Sequence, residues 1–562
     1  MSQPQRPRTA IDEIADDHFE RSVQLSPLAL TALGRPQRQD ELDDFSPAGM
    51  GALDELNRET LARLAQAECV DVTDKVTVAA MRERLGLAIA SHERGHDLAS
   101  INTITSGLHA IREGFDLMPT QTPEHWHDIA ARLRAVPTAV VTWFISQHLA
   151  VEMGIRPARR QVEGLATAVE QWTAEGDFLD QLRARTAGQT DEVASDVARS
   201  IEVARRGFRQ AAERLRREFA PLAIEQDGVG IERYRLCSQN FLGTQVDLQE
   251  TYRWGLAEVQ RILELEQATA ERIRPGASVR EAVELLDADE RYRLHGTEEL
   301  QRWMQQRADA AVEAMDAHFD IPEPMRRIEC CIAPTRDGGI YYTGPSEDFS
   351  RPGRMWWSVP SGVEVFTTWR ELTTVHHEGI PGHHLQIGQT SFNSAMLNSW
   401  RRHGCWVSGH GEGWALYSEW LMADLGFLDD PGDFMGLLDA QMLRAVRVVV
   451  DIGLHCADEP GFEAPELVGG GRWDFDKMER YFKHHILMDE GSCDFELSRY
   501  AGWPGQAPSY KVGERLWLEL REEVKAARGE DFDLKDFHRT ALDLGGLGLD
   551  VLRAAVLDLS GV

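Results

Sequence analysis

At 562 residues, with 42% hydrophobic and 27% charged residues, the chain is longer than one hydrophobic core serves and too apolar for an extended disordered polymer. Its 60 Lys and Arg against 92 Asp and Glu give a formal charge of -32, which repels phosphate backbones and anionic lipid surfaces, so neither nucleic acid nor a membrane is an expected partner. Seven scattered cysteines read as reduced thiols, and the opening MSQPQRPRTAIDEIADD has no apolar run behind its basic residues, so a soluble cytoplasmic protein is expected.

Helical periodicity dominates the first three hundred residues. The uncharged run 135–151 contains Pro137 and is interrupted by Thr138, Thr142, Ser146, Gln147 and His148, which fits a buried helix better than a membrane span. Val193, Val197, Ile201, Ala204, Phe208, Ala211, Leu215 and Phe219 then recur at three- and four-residue steps, predicting one apolar helix face. Leu248, Tyr252, Leu256, Val259 and Leu263 repeat the pattern until Pro275-Gly276. Ser278 with Glu281 makes a capping-box start for the next helix. After Pro322 the segments RIECCIAP and GGIYYTGPSEDFSRPGRMWWSVP are β-branched and aromatic with Gly and Pro punctuation, predicting a small sheet. Helical patterning returns from about Val363 and runs to the end, with turns at Asp429-Asp430-Pro431 and Gly469-Gly470-Gly471. The expected architecture is mostly α with a small β-sheet. It forms one unit, with an amino-terminal helical lobe over about 1–235 and a motif-bearing lobe over 236–562.

The chemistry concentrates in HHEGIPGHH, residues 376–384. Helix-borne zinc peptidases set two imidazoles one turn apart with a glutamate beside the first. Here His377-Glu378 is followed by His383, six positions on, and residues six apart on a regular helix point about 120° apart. Pro381 lacks an amide hydrogen and Gly382 tolerates unusual dihedrals, so a bulge in the helix is expected to bring His383 back. His384 is the rival, although seven residues along a regular helix rise about 10.5 Å, too far for one ion. His376 faces away from His377 and is read as a packing or supporting residue. The third metal ligand is expected from GHGEGWALYSEWL, with Glu412 near a helix start. Glu419 is an ordinary helix residue or an acceptor for a ligating imidazole. Four histidines around one glutamate would leave several buried nitrogens competing for partners unless a metal took them, and Zn²⁺ suits the ligand types. Glu378 is the general base that this pattern supplies.

These stretches, together with RAVRVVVDIGLH, ELSRYAGWPGQAPSYKVG and FDLKDFHRTALDLGGLGLDVL, resemble a large bacterial family catalogued as a domain of unknown function and regarded as zinc peptidases. The resemblance implies a gluzincin-like fold akin to the thimet oligopeptidase and angiotensin-converting enzyme group, with a deep groove between two helical lobes. It implies HEGIPGH as the metal motif and a downstream Glu as third ligand. In that group an Arg-Tyr pair supplies the tyrosine that hydrogen-bonds the oxyanion, and Arg499-Tyr500 is similar. Tyr500 is therefore the first choice for that role and Tyr510 the second, with Arg499 and Tyr510 as substrate-binding candidates. His455 and His485 could hold substrate or support a ligand. An exposed edge in the aromatic segment could pair with an extended peptide, although Tyr341, Tyr342, Trp356 and Trp357 also suit a core. The expected activity is hydrolysis of short peptides. The alternatives are hydrolysis of a non-peptide amide or ester, and a silent helical binding protein whose structural metal has four ligands including His384.

Overall fold

The apolar spacing of the first half translates directly into packed helices. The computed structural model describes residues 6–333, 339–360 and 362–562. Pro334 and Gly338 of the aromatic segment and the first five residues lie outside it. Helix α1 (Pro123–Glu152) is long and apolar enough to cross a membrane, and its Trp126, Leu133, Val140 and Trp143 are buried among neighbouring helices. Helix α2 (Asp191–Arg214) lays Val193, Val197, Ile201, Ala204, Phe208 and Ala211 on α1, as their spacing predicts, and a wider helical turn carries the stripe on to Leu215 and Phe219.

Helix α3 (Leu248–Ile273) follows, and the next helix starts at Ser278, whose side chain and that of Glu281 cap each other's backbone N–H. Strand β1 (Arg293–His295) and helix α4 (Thr297–Met315) lead to β2 (Ile328–Ile332), β3 (Ile340–Thr343), β4 (Gly353–Trp357) and β5 (Val365–Thr367). The order β2-β4-β3 makes a three-stranded sheet in which β4 runs parallel to β2 and antiparallel to β3, while β1 and β5 form a separate antiparallel pair. The outer edge of β2 is capped by α4: Gln305 Nε2 donates to the Ile328 carbonyl at 2.9 Å and Gln301 Nε2 to that of Cys330 at 2.8 Å. β3 is the other edge. The helical pattern expected from Val363 begins instead at Thr368, because Val365–Thr367 is taken up by pairing with β1.

The motif-bearing helices are α5 (Thr368–Glu378), α6 (His383–Phe392), α7 (Ser408–Asp424), α8 (Pro431–His455), α9 (Glu490–Gly502) and α10 (Ser509–Arg528). The large core joins Ile11, Phe19, Leu64 and Met81 to Trp414, Val446, Trp517 and Leu552, while a second cluster holds residues from Phe45 to Phe219. Packing therefore does not divide near residue 235. The first helices bury their apolar faces against the carboxy-terminal half, a long-range pairing that local periodicity does not encode. All seven cysteines are free thiols. The protein is mostly helical with a small sheet.

Candidate metal centre

The six-residue spacing is resolved by ending one helix and starting another. α5 stops at Glu378 and α6 begins at His383, where a bulge within a single helix was expected. In the intervening loop the Gly382 N–H donates to the His376 carbonyl and the His384 N–H to that of Gly379, each at 3.2 Å, giving turns wider than α-helical. Ile380-Pro381 is a cis peptide, and the Pro381 carbonyl accepts from Trp414 Nε1 at 2.8 Å. The glycines are needed for close approach: a Cβ on Gly379 would stand 2.5 Å from the Val375 oxygen, and one on Gly382 equally near the His376 oxygen. The result faces the two imidazoles at right angles with centroids 4.9 Å apart.

Glu412, in the first turns of α7, completes the cluster. One ligand atom each from His377, His383 and Glu412 lies within 4.8 Å of the others. Glu412 Oε2 is 3.4 Å from His377 Nε2 and 3.5 Å from His383 Nε2. Three N and O ligands on a tetrahedral zinc, each about 2.0–2.2 Å from it, stand roughly 3.3–3.6 Å apart. Both separations given by the carboxylate match that edge, so the residues present fit a divalent ion with one coordination position to spare.

Glu412 and Glu419 are seven residues apart on one helix, hence on one face. They bracket a single imidazole. Glu412 faces His377 Nε2, while Glu419 Oε1 accepts from Nδ1 at 2.7 Å and its other oxygen accepts from Thr373 Oγ1 at 2.8 Å. This fixes the tautomer that presents the Nε2 lone pair to the cluster. Burial pulls the His377 pKa down, but hydrogen bonds to Glu412 and Glu419 and their charges outweigh it and raise it to about 10. Burial likewise opposes ionisation of Glu412, yet the two imidazoles hold its carboxyl well below the usual range. Replacing Glu419 with Gln is expected to weaken zinc binding about 10- to 100-fold, measured by competition with a chromogenic chelator; an unchanged affinity would remove Glu419 from the metal site.

Glu378 is the chemically free member. It is buried beside the cluster, and its Oε2 has no hydrogen-bond partner among the described residues. Burial raises its pKa and the Glu412 charge adds to this, against the pull of both imidazoles. An uncommitted carboxylate with elevated basicity, adjacent to three groups able to hold an ion, is what a proton-transfer step at this position requires.

The other histidines separate cleanly. His384 Nε2 donates to the Met325 carbonyl and its Nδ1 accepts from the Tyr342 hydroxyl, both at 2.8 Å, so neither nitrogen is available to an ion. This bond ties edge strand β3 to α6. Gly353 makes room for it, since a Cβ there would stand 2.6 Å from His384 Nδ1. His376 is buried away from the cluster with its pKa lowered to about 4 by burial. His455 bridges backbone groups of Val229 and Tyr500, and His485 packs on Tyr481. Of the four aromatics, Trp357 is buried in the sheet's cluster and Tyr342 packs against it, whereas Tyr341 is exposed and lies along Trp356.

Tyr510 lies one turn from a helix contact made by glycines. A Cβ on Gly413 of α7 would lie 2.7 Å from Gly513 Cα on α10, so the two backbones touch. Tyr510, one turn before Gly513, is half-buried, and after burial the Glu412 charge is the leading influence raising its pKa to about 12. Gly413→Ala is expected to destabilise the fold by about 3 kcal/mol, read from the denaturation midpoint, because both backbones would have to separate. A loss below the resolution of the measurement would mean the helices part easily.

Tyr500 is placed differently. It is fully buried, its hydroxyl donates to Glu496 Oε2, and it accepts from Arg447 Nε at 2.7 Å. Arg447 and Arg499 both reach Glu496, at 2.8 and 3.0 Å, and the Arg447 guanidinium lies 4.9 Å from the Tyr510 ring. Arg447 and Glu496 were not singled out in the sequence. The available signal was an arginine inside the otherwise apolar helical run RAVRVVV, with a glutamate one turn before Arg499.

Comparisons with known proteins add the fold's distribution. No curated protein matches the chain significantly. A crystal structure of a protein described as a putative lipoprotein from Colwellia psychrerythraea is similar at a TM-score of 0.82 and 22% identity, covering 98% of both chains. A protein from Shewanella oneidensis, described as a putative lipoprotein of unknown function, has a TM-score of 0.73 and 16% identity over 98% of this chain and 100% of its own. The profile of a bacterial family of unknown function matches residues 27–556. The chain, nearly end to end and with its His-His-Glu cluster inside the match, belongs to the bacterial family of unknown function DUF885.

Proposed function

We propose that the protein is a zinc metallopeptidase of gluzincin type that hydrolyses short peptides. The observation that carries this reading is the match of the Glu412-imidazole separations to a tetrahedral zinc edge, with the unpartnered Glu378 carboxylate alongside. His377, His383 and Glu412 hold the ion, and zinc bound there supplies Lewis acidity and brings the pKa of water toward neutrality. Glu378 takes the proton from the attacking water and returns it to the leaving amine. Negative charge then develops on the carbonyl oxygen and needs a second donor. Tyr510 suits that role better than Tyr500, because the Tyr500 hydroxyl is committed to Glu496 whereas Tyr510 is partly accessible and senses Glu412. Edge strand β3, held to α6 through Tyr342 and His384, offers a backbone rim along which an extended peptide could pair.

The full engagement of His384 favours an open three-ligand site over a closed structural one. Elemental analysis of the purified protein followed by mass-spectrometric profiling on a peptide library is the direct test, with small amides and esters as a parallel arm. One zinc per chain and cleaved peptides are expected. Cleavage only in the parallel arm would move the substrate class, and absence of metal would end the reading.

A further inference from the structure

Away from the metal cluster, a half-open cavity of about 740 Å³ has walls from both halves of the chain: loops and helix ends around residues 94–102 and 147–161 on one side, 224–248 and 501–504 on the other. None of His377, Glu378, His383, Glu412 or Tyr510 lines it. The volume falls within the range of small-molecule sites, about 300–1,000 Å³. Ile101, Ile155, Ile224 and Val246 supply an apolar wall.

Its charge runs against that of the molecule. Four arginines line it, Arg94, Arg156, Arg233 and Arg235, against two carboxylates, Asp227 and Glu232. Both carboxylates are spoken for: Asp227 faces Arg160 at 3.2 Å and Glu232 holds Arg235 at 2.5 Å. Arg94, Arg156 and Arg233 have no carboxylate within 4.0 Å among the described residues. Arg233 Nε is buried without a hydrogen-bond partner, and a buried donor of this kind costs stability unless something completes it. A chain with 92 acidic residues to 60 basic has counter-charges to spare, yet pairs none of them with Arg94, Arg156 or Arg233 among the described residues. His96, on the same wall, is kept neutral, its pKa lowered to about 4 by burial and by Arg233 and Arg94.

We propose that this cavity is a binding site for a small organic anion, a carboxylate or phosphate compound whose charged head meets Arg233 between Arg94 and Arg156 while its body lies on the apolar wall. The ligand spans the two halves of the chain, and one wall, Ala501-Gly502, directly follows Tyr500. The assignment is independent of whether the metal cluster hydrolyses peptides.

Isothermal titration of the full chain with phenylacetate, phenyl phosphate and the neutral phenylacetamide tests it, since the three share a body and differ in head. At least one anion should bind one-to-one and roughly tenfold or more tighter than the amide, and the tighter of the two names the head group. Arg233→Gln should lower that affinity roughly tenfold or more without lowering the unfolding temperature, because it removes an uncompensated cation. That loss also separates binding here from any carboxylate affinity of the metal. Arg156→Gln, at an exposed position on the rim, should weaken binding in the same direction and serves if the Arg233 variant does not fold. Anions that bind no better than the amide, or that bind both variants as tightly as the unaltered chain, would overturn the assignment.

Discussion

Glu378→Gln should keep one zinc per chain and lose peptide turnover by roughly 10²- to 10⁴-fold. The substitution conserves shape, and Glu378 is not among the three groups whose atoms converge, so metal affinity has no reason to change. What disappears is a buried carboxylate beside the cluster whose Oε2 has no hydrogen-bond partner among the described residues. The informative measurement pairs kcat/KM on the best library peptide with zinc stoichiometry on the same preparation. Loss of both would report a structural role for Glu378, and turnover within threefold of the original would exclude it as the base.

The second large effect separates two tyrosines. Tyr510→Phe should lower kcat about 10²- to 10³-fold with little change in KM, because a donor aimed at charge that develops only in the transition state leaves substrate binding untouched. Tyr500→Phe should lower kcat by less than about tenfold and should instead lower the unfolding temperature, since Arg447 Nε loses its acceptor and Glu496 one of its donors. The opposite ranking in kcat would return the oxyanion role to Tyr500 and would require its hydroxyl to leave Glu496 during turnover.

How much of this could be read from the sequence depends on the range over which each interaction acts. The pairing of His377 with Glu378, the return of His383 and the nomination of Glu412 rest on residue chemistry within a forty-residue window. The helices of 191–219 and 248–273 follow from local apolar spacing. The six-residue spacing does not sit on a single helix, because Gly379 and Gly382 let the chain pass so close to the preceding turn that α5 ends outright. Interactions between distant segments left no local trace. The Tyr342–His384 bond, the Gly413–Gly513 contact beside Tyr510, and the Arg447–Glu496–Tyr500 group each join elements whose adjacency is set only by the finished packing. The same holds for the first ninety residues, whose apolar faces are matched by helices more than three hundred positions away.

The bracket of Glu412 and Glu419 around His377 has a consequence for the life of the site. An imidazole caught between two carboxylates attracts a proton as well as an ion, so without a metal His377 stands as an imidazolium that offsets one of the two negative charges and holds Glu412 and Glu419 on either side of it. Under the proposed metal-binding reading, loading would then be the exchange of a proton for a metal ion on a scaffold that the salt bridges already hold.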